Sequence, residues 1–325
     1  MTKAIRFAQT GGAEVLKFDT VDLSPLREGE VRVLHKAIGV NFIDIYHRSG
    51  LYKLPLPSGL GLEAAGVVQE VGGGVSRFRE GDRIAYASGP IGAYSEVANV
   101  VADRAVKIPE GVSDDVAAAV LLKGLTAHYL LRRTYPVKSG DTILFHAAAG
   151  GVGMIAVQWA KSLGATVIGT VGSEKKIDLA RRLGCDHVIV PAKENVATRV
   201  REITQGRGVP VAYDSIGRDT FMGTLDSIAP LGMFVSFGNA SGPVPPFDGA
   251  MLAQKGSLFF TRPTLANYVT TADELDRGAG ELFDLLARGV IRKNEPKRFA
   301  LSQAADAHRA LESRQTTGSL VLIPD

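Results

Sequence analysis

Two different rhythms of apolar and polar positions run along this chain. Up to about residue 110 the apolar residues gather in short runs, Val31–His35, Ala65–Val71, Arg83–Tyr86 and Ser95–Val101. Turn formers separate them: Gly11-Gly12, Gly59, Gly61, Gly72-Gly73-Gly74 and Gly81-Asp82. Short strands spaced in this way predict a small antiparallel barrel or sandwich. From about residue 140 the rhythm changes. Thr142–Phe145 reads as a short apolar strand and is followed by Gly150-Gly151-Val152-Gly153. Apolar residues then recur at Val152, Ile155, Ala156, Trp159, Ala160 and Leu163, the spacing of one helix face, and Gly164 ends the helix.

Strand and helix go on alternating. Thr166–Thr170, His187–Val190, Val209–Asp214, Met233–Phe237 and Leu258–Thr261 predict strands. Val196–Ile203 and residues 220–228 predict helices, and Ser173 stands where it can cap the helix after the second strand. Repetition of this kind builds an α/β, doubly wound parallel sheet covered on both faces, placed here at 125–262. The tail predicts helices near 272–288 and 303–313 and a closing strand, Ser319–Ile323. A lone terminal strand needs a host sheet. The N-terminal β unit can supply it, which makes that domain discontinuous, 1–124 plus 263–325.

Composition narrows the classes. With 325 residues the chain is long enough for two domains and a large core. Cys185 is the only cysteine, expected half-buried after Gly184, so no internal disulfide can form and a reducing compartment fits. A net charge of +3 gives no strong case for nucleic acid. The first residues lack the apolar stretch of a signal peptide, and runs such as Val116–Leu122 are far too short to span a bilayer, so the expected location is cytoplasmic. The six histidines, His35, His47, His128, His146, His187 and His308, form no H-x-x-x-H pair, and no metal site is expected.

The strongest chemistry lies in residues 140–176. A strand, a glycine-rich turn and a helix aim backbone N–H groups at an anion, and glycines let a pyrophosphate approach closely. Here the usual G-x-G-x-x-G reads Ala148-Ala149-Gly150-Gly151-Val152-Gly153, with Ala148 in the first glycine's place. A site for NAD places Asp or Glu at the end of the second strand, on the ribose diol. This chain has Gly169-Thr170-Val171-Gly172-Ser173 there, and no carboxylate before Glu174. A missing acid beside Ser173, Lys175 and Lys176 favours NADPH, with Ser173 donating to the 2′-phosphate and Lys176 supplying charge.

The run from Gly140 through Gly153 to Gln158 and Lys161 resembles the signature of the quinone oxidoreductase/zeta-crystallin family of zinc-independent medium-chain dehydrogenase/reductases. Asn41-Phe42-Ile43-Asp44, Arg48–Tyr52, Pro57–Gly61, Leu122–Thr126, Tyr213–Ser215, Ser236–Asn239, Thr261–Pro263 and Leu311–Arg314 extend the resemblance over essentially the whole chain. It implies a GroES-like β-rich domain beside a Rossmann domain, with the active site in a cleft between them. Asn41 and Leu62 stand where zinc-dependent cousins place a Cys and a His ligand. The resemblance puts Asn41, Phe42, Ile43, Asp44 and Tyr46 on the nicotinamide side and Thr126 and Tyr129 near nicotinamide and phosphates. It puts Gly151 and Val152 on the pyrophosphate and Gly172, Ser173 and Lys176 on the 2′-phosphate. Phe237, Gly238, Asn239, Pro263, Thr264, Leu265 and Arg314 would flank the cofactor. The chain departs from its relatives at Pro191, where a Tyr often lies near the adenine.

A quinone is already electrophilic, so hydride transfer from NADPH needs proximity and orientation more than covalent activation. Tyr46 and Tyr52, each an apolar ring with a hydroxyl, are the candidates to line the substrate pocket. Two alternatives stand beside quinone reduction. One is NADPH-dependent reduction of the double bond of enones or alkenals. The other is an RNA-binding or structural role of the zeta-crystallin kind, which finds no basic stretch or RNP-like motif here. A homodimer is expected from the resemblance, and from apolar edge strands anticipated at Met233–Phe237 and Leu258–Thr261.

Overall fold

The structure, a computed structural model, describes residues 1–313 and 316–325. In chain order the elements are β1 (Thr2–Phe7), β2 (Lys17–Val21), β3 (Glu30–Val40), α1 (Phe42–Ser49), β4 (Ser58–Gly59), β5 (Ala64–Val71), β6 (Arg83–Tyr86), β7 (Val97–Val101), β8 (Ala105–Lys107) and α2 (Asp114–Tyr129). Then come β9 (Thr142–Phe145), α3 (Gly151–Ser162), β10 (Thr166–Thr170), α4 (Ile177–Leu183), β11 (His187–Ile189), α5 (Val196–Ile203), β12 (Val209–Asp214), α6 (Phe221–Ser227), β13 (Ile228–Ser236), α7 (Ala250–Gln254) and β14 (Phe259–Thr261). α8 (Ala272–Ala287), β15 (Lys297–Ala300), α9 (Ala304–Glu312) and β16 (Leu320–Ile323) complete the chain. It divides into two compact units, Met1–Leu125 with Val269–Asp325, and Thr126–Tyr268.

The first unit carries a three-stranded sheet, β2-β1-β4, and a seven-stranded one, β15-β16-β3-β5-β6-β8 with β7 also on β3. The closing strand β16 does find its host there, antiparallel to β3, with Leu320 opposite Val40 and Leu322 opposite Ile38. Val31, Val33, Ile38, Val68, Ile84, Leu320 and Leu322 bury the inner faces. Alternation pairs Val31 with Val33 and Leu320 with Leu322, and the register shift between His35 and Ala37 in β3 brings Ile38 to the same core. Gly39 in β3 is a close approach: a Cβ there would collide with the Glu63 carboxylate and the Ala118 carbonyl.

The second unit holds six parallel strands in the order β11-β10-β9-β12-β13-β14. Renumbered from its first strand, that order is 3-2-1-4-5-6, the dinucleotide-binding arrangement. Leu144, Ile168, Ala212, Phe221, Leu225 and Phe234 form the core on one side of it. Three expectations need correction. The strand at Met233 is interior, hydrogen-bonded to both β12 and β14, so of the two anticipated edges only β14 is one. Ser173 precedes a 3-10 turn, Glu174–Lys176, and makes no side-chain cap. Its backbone is extended, which is N-cap geometry, but the tight turn after it delays the α-helix to Ile177. Cys185 is buried rather than half-buried, because Gly169 lets the strand come against its Sγ.

Candidate active site

The order of the parallel strands reverses between β9 and β12, and in doubly wound folds ligands bind at the carboxyl ends of the strands at such a reversal. At the end of β9 the backbone turns sharply: Ala147 takes a left-handed φ of 52°, and the Gly150 N–H donates to the Ala147 carbonyl at 2.8 Å. α3 then starts at Gly151, with Gly150 as an N-cap that offers no side chain. The first N–H groups of a helix have no partner within it, so Gly151, Val152 and Gly153 present donors to an anion. A Cβ on Gly153 would collide with the Ala147 carbonyl oxygen and sit 2.7 Å from that of Ala148. The missing first glycine is also accounted for. Ala148 packs on Gly169 of β10, whose Cβ, if it had one, would lie 2.8 Å from that of Ala148.

A buried polar clamp holds the strand ends behind this turn. His146 Nδ1 meets Thr170 Oγ1 at 3.1 Å and its Nε2 meets Thr224 Oγ1 at 2.9 Å. Thr224 donates to Asp214 Oδ2 at 2.9 Å, while Asp214 Oδ1 accepts the N–H groups of Ile216 and Gly217. Burial pushes the His146 pKa down against the pull of Asp214, so the ring sits neutral in the clamp. After β10, a Cβ on Gly172 would meet nothing within 4 Å. Lys176 is half-buried, and burial lowers its pKa. Glu174, the first carboxylate past the strand, is bonded by Lys193 Nζ at 2.6 Å.

Parallel topology gathers the segments after β10, β13 and β14 at the same sheet edge. Phe237 packs on Phe145 with ring centroids 5.8 Å apart, and Gly238 lies close against the Ser215 backbone. Pro263 is buried, and Thr264 opens the turn Leu265–Asn267. Tyr129 stacks on Tyr268 at 4.5 Å with rings 14° from parallel.

In the other unit, Asn41 opens α1. Its Nδ2 donates to Glu63 Oε2 at 2.7 Å, and the same carboxylate accepts the Leu122 N–H at 2.6 Å on Oε1. Lys123 Nζ stands 3.6 Å from Glu63 Oε2, too far for a hydrogen bond, and is buried with no hydrogen-bond partner. Burial pushes the Glu63 carboxyl up, and Lys123, Asn41 and the Leu122 N–H oppose it. Tyr46 and Tyr52 pack edge to face at 5.3 Å, and the Tyr52 N–H donates to the Tyr46 carbonyl.

Comparison with known proteins matches residues 151–273 to the zinc-binding dehydrogenase family and residues 27–110 to the alcohol dehydrogenase GroES-like domain. A quinone oxidoreductase of Pseudomonas aeruginosa is 55% identical over 327 residues, all of both chains. The solved structure of Escherichia coli quinone oxidoreductase complexed with NADPH superposes with a TM-score of 0.97 at 50% identity, covering 99% of this chain and all of the other. A 2-haloacrylate reductase of a Burkholderia species is 46% identical over all of this chain and 99% of its own. The chain belongs to the quinone oxidoreductase family.

Within this family member, most of the residues expected around a cofactor fall in two groups. Gly151, Val152, Gly172, Ser173, Lys176, Phe237 to Asn239 and Pro263 to Leu265 all follow carboxyl ends of the parallel sheet. Asn41, Phe42, Ile43, Asp44 and Tyr46 share the first turns of α1, with Tyr52 against Tyr46. Thr126 and Tyr129 are buried on α2, and Arg314 lies outside the described residues. Sequence reasoning passed over Glu63 and Lys123. The one signal available was a lysine inside the apolar stretch Val116–Leu125, a place where an unpaired charge is costly.

Proposed function

We propose that this enzyme reduces quinones with NADPH by direct hydride transfer, without a metal. The observation that carries the reading is the reversal of strand order over a glycine turn whose second strand ends without a carboxylate. The turn fits the group, because Gly153 lets the first turn of α3 close on the Ala147 and Ala148 carbonyls, which any side chain would hold off, and so keeps the helix's first N–H groups at the end of β9. Gly151 and Val152 would hold the pyrophosphate, and Ser173 and Lys176 the 2′-phosphate, with Glu174 already engaged by Lys193. When bound, NADPH supplies the hydride. Tyr46 and Tyr52 would line the acceptor's pocket. The metal-free part of the reading rests on the donor set, since Asn41 spends its amide N–H on Glu63 and Leu62 has no ligating atom.

The test is NADPH- and NADH-driven turnover of 1,4-benzoquinone, 9,10-phenanthrenequinone, an enone and a 2-haloacrylate, in wild type and Lys176→Ala. We expect NADPH to be preferred and quinones to turn over fastest. One charge-assisted contact is worth about 1.5–3 kcal/mol, so Lys176→Ala should weaken NADPH roughly 10- to 100-fold and NADH little. Equal losses for both cofactors would overturn the phosphate assignment.

A second reading has its own support. Reduction of a conjugated C=C bond needs a proton on carbon as well as a hydride, and the buried Lys123 ammonium has donors not spent on hydrogen bonds. The kinship with a 2-haloacrylate reductase points the same way.

We further propose a homodimer paired through the open edge of β14, where Phe259 is 58% exposed. Phe259→Lys should then give monomers by light scattering. A wild type that is itself monomeric at micromolar concentration would refute the pairing.

A further inference from the structure

A line of hydrogen bonds, buried from Arg48 inward, runs from the end of α9 to the start of α1. Glu312 takes Arg48 in a two-pronged pair, Nη2 to Oε1 at 2.6 Å and Nη1 to Oε2 at 3.1 Å, and Arg48 Nε donates to the Gly11 carbonyl. Arg48 Nη1 also reaches His308 Nδ1 at 3.2 Å. His308 Nε2 reaches the Tyr94 hydroxyl at 3.1 Å, and that hydroxyl reaches Asp44 Oδ2 at 3.0 Å. The same Oδ2 accepts the Asn41 N–H at 2.8 Å. Arg48, His308, Tyr94 and Asp44 are all buried, at 2% exposure or less.

The chemistry of the groups fixes the direction of these bonds. A guanidinium only donates, so Nδ1 of His308 must be the bare nitrogen and its proton must sit on Nε2. Nε2 then donates to the Tyr94 oxygen, which leaves the single Tyr94 hydrogen for Asp44. The reverse order would set two hydrogens against each other between Arg48 and His308. Every donor therefore points toward Asp44. Burial, and then the Arg48 charge, push His308 down to about 3, so the ring stays neutral as this scheme requires.

We propose that Arg48, His308 and Tyr94 are positioning residues: a one-way donor chain that holds Asp44 as an ionised acceptor and thereby fixes the Asn41–Tyr46 turn for the nicotinamide end of the cofactor. The inference rests on the reading of that turn given above. Asp44 is finely balanced. Burial pushes its carboxyl up to about 7, with the Asn41 N–H, Tyr94 and Lys123 pulling down and Glu63 pushing up. Its Oδ1 is buried without a hydrogen-bond partner, so the donors on Oδ2 carry the stabilisation of the charge. Tyr94 itself keeps its proton, since burial and then Asp44 raise it far above the ordinary tyrosine range.

The test follows the Asp44 carboxyl directly, by carbon NMR of cofactor-free protein carrying aspartate labelled at the carboxyl carbon, with the Asp44 signal identified by its loss in Asp44→Asn. Tyr94→Phe keeps the ring and removes one hydrogen bond to a charged group. It should raise the Asp44 midpoint by roughly one to two pH units. His308→Leu leaves Tyr94 in place but cuts it off from Arg48, and should raise the midpoint less. Tyr86→Phe is the control: Tyr86 is equally buried and bonded to His35 Nε2 at 3.0 Å, outside the chain, and should move nothing. The NADPH dissociation constant, measured against pH by calorimetry, should tighten as Asp44 ionises and its inflection should follow the NMR midpoint in each variant. An unmoved midpoint in both Tyr94→Phe and His308→Leu overturns the donor chain. A midpoint that moves while the binding inflection stays put overturns the positioning role. Wild type that binds no NADPH at any pH sinks the functional reading instead, and the NMR titration still decides the chain.

Discussion

Gly153→Ala is expected to leave the protein folded but to bind NADPH far more weakly. The added methyl would overlap the Ala147 carbonyl oxygen and lie 2.7 Å from that of Ala148, both backbone atoms. Neither can give way easily. Ala147 already sits at a φ of 52°, and Ala148 is pinned by its N–H bond to the Thr170 carbonyl at 2.9 Å and by its packing on Gly169. The strain must go into lifting the first turn of α3 off the β9 turn, and that movement turns away the donors an anion needs. Overpacking of this kind costs about 1–3 kcal/mol, and if most of it falls on the bound state the affinity drops roughly 10- to 100-fold. Calorimetry with NADPH and a thermal melt check it together. Gly172→Ala is the comparison, because its Cβ would meet no atom within 4 Å, and it should melt like wild type. Wild-type affinity in Gly153→Ala would mean that the nucleotide does not use this turn.

The same turn shows what a reader of the sequence can and cannot see. Arg83–Tyr86, Thr142–Phe145, Thr166–Thr170, Val209–Asp214 and Val196–Ile203 are the observed bounds of β6, β9, β10, β12 and α5, because local pattern and turn residues settle such elements. α2 was not legible. Its sequence is apolar almost all round from Val116 to Leu125 and offers no stripe to set its period. α1 was hidden for the opposite reason, since it buries Asp44, His47 and Arg48, residues a pattern assigns to solvent. Their burial depends on partners remote in sequence: Arg48 meets His308 260 positions away. The compensation of Ala148 by Gly169 is equally non-local. Sequence patterns report what neighbours along the chain decide, and the polar interior around Asn41, Asp44 and Glu63 is decided by contacts between β3, α1, α2 and α9.

Lys123→Met should produce two losses of different kind. The first is stability. Glu63 is fully buried, and the lysine ammonium is the charge that opposes the cost of ionising it. Removing one partner of a buried pair costs about 3–5 kcal/mol, whereas replacing both with neutral groups recovers much of it. Chemical denaturation should therefore rank Glu63→Gln/Lys123→Met above Lys123→Met. The second loss is chemical and depends on the acceptor. A quinone reduced by hydride ends as an oxygen anion, which can take its proton from water. A conjugated alkene must be protonated on carbon, and there a placed donor contributes roughly 10²- to 10⁴-fold. If the Lys123 ammonium is the proton source, turnover of a 2-haloacrylate or an enone should fall by that factor while quinone turnover falls far less, at equal NADPH saturation. Arginine at this position, Lys123→Arg, separates the two effects further. It keeps a positive charge beside Glu63 but cannot give up a proton at neutral pH. It should restore much of the stability without restoring alkene reduction. Equal losses for quinone and alkene in Lys123→Met, with both recovered in Lys123→Arg, would reduce the lysine to a counter-charge for Glu63 and remove the support it lends to the second reading.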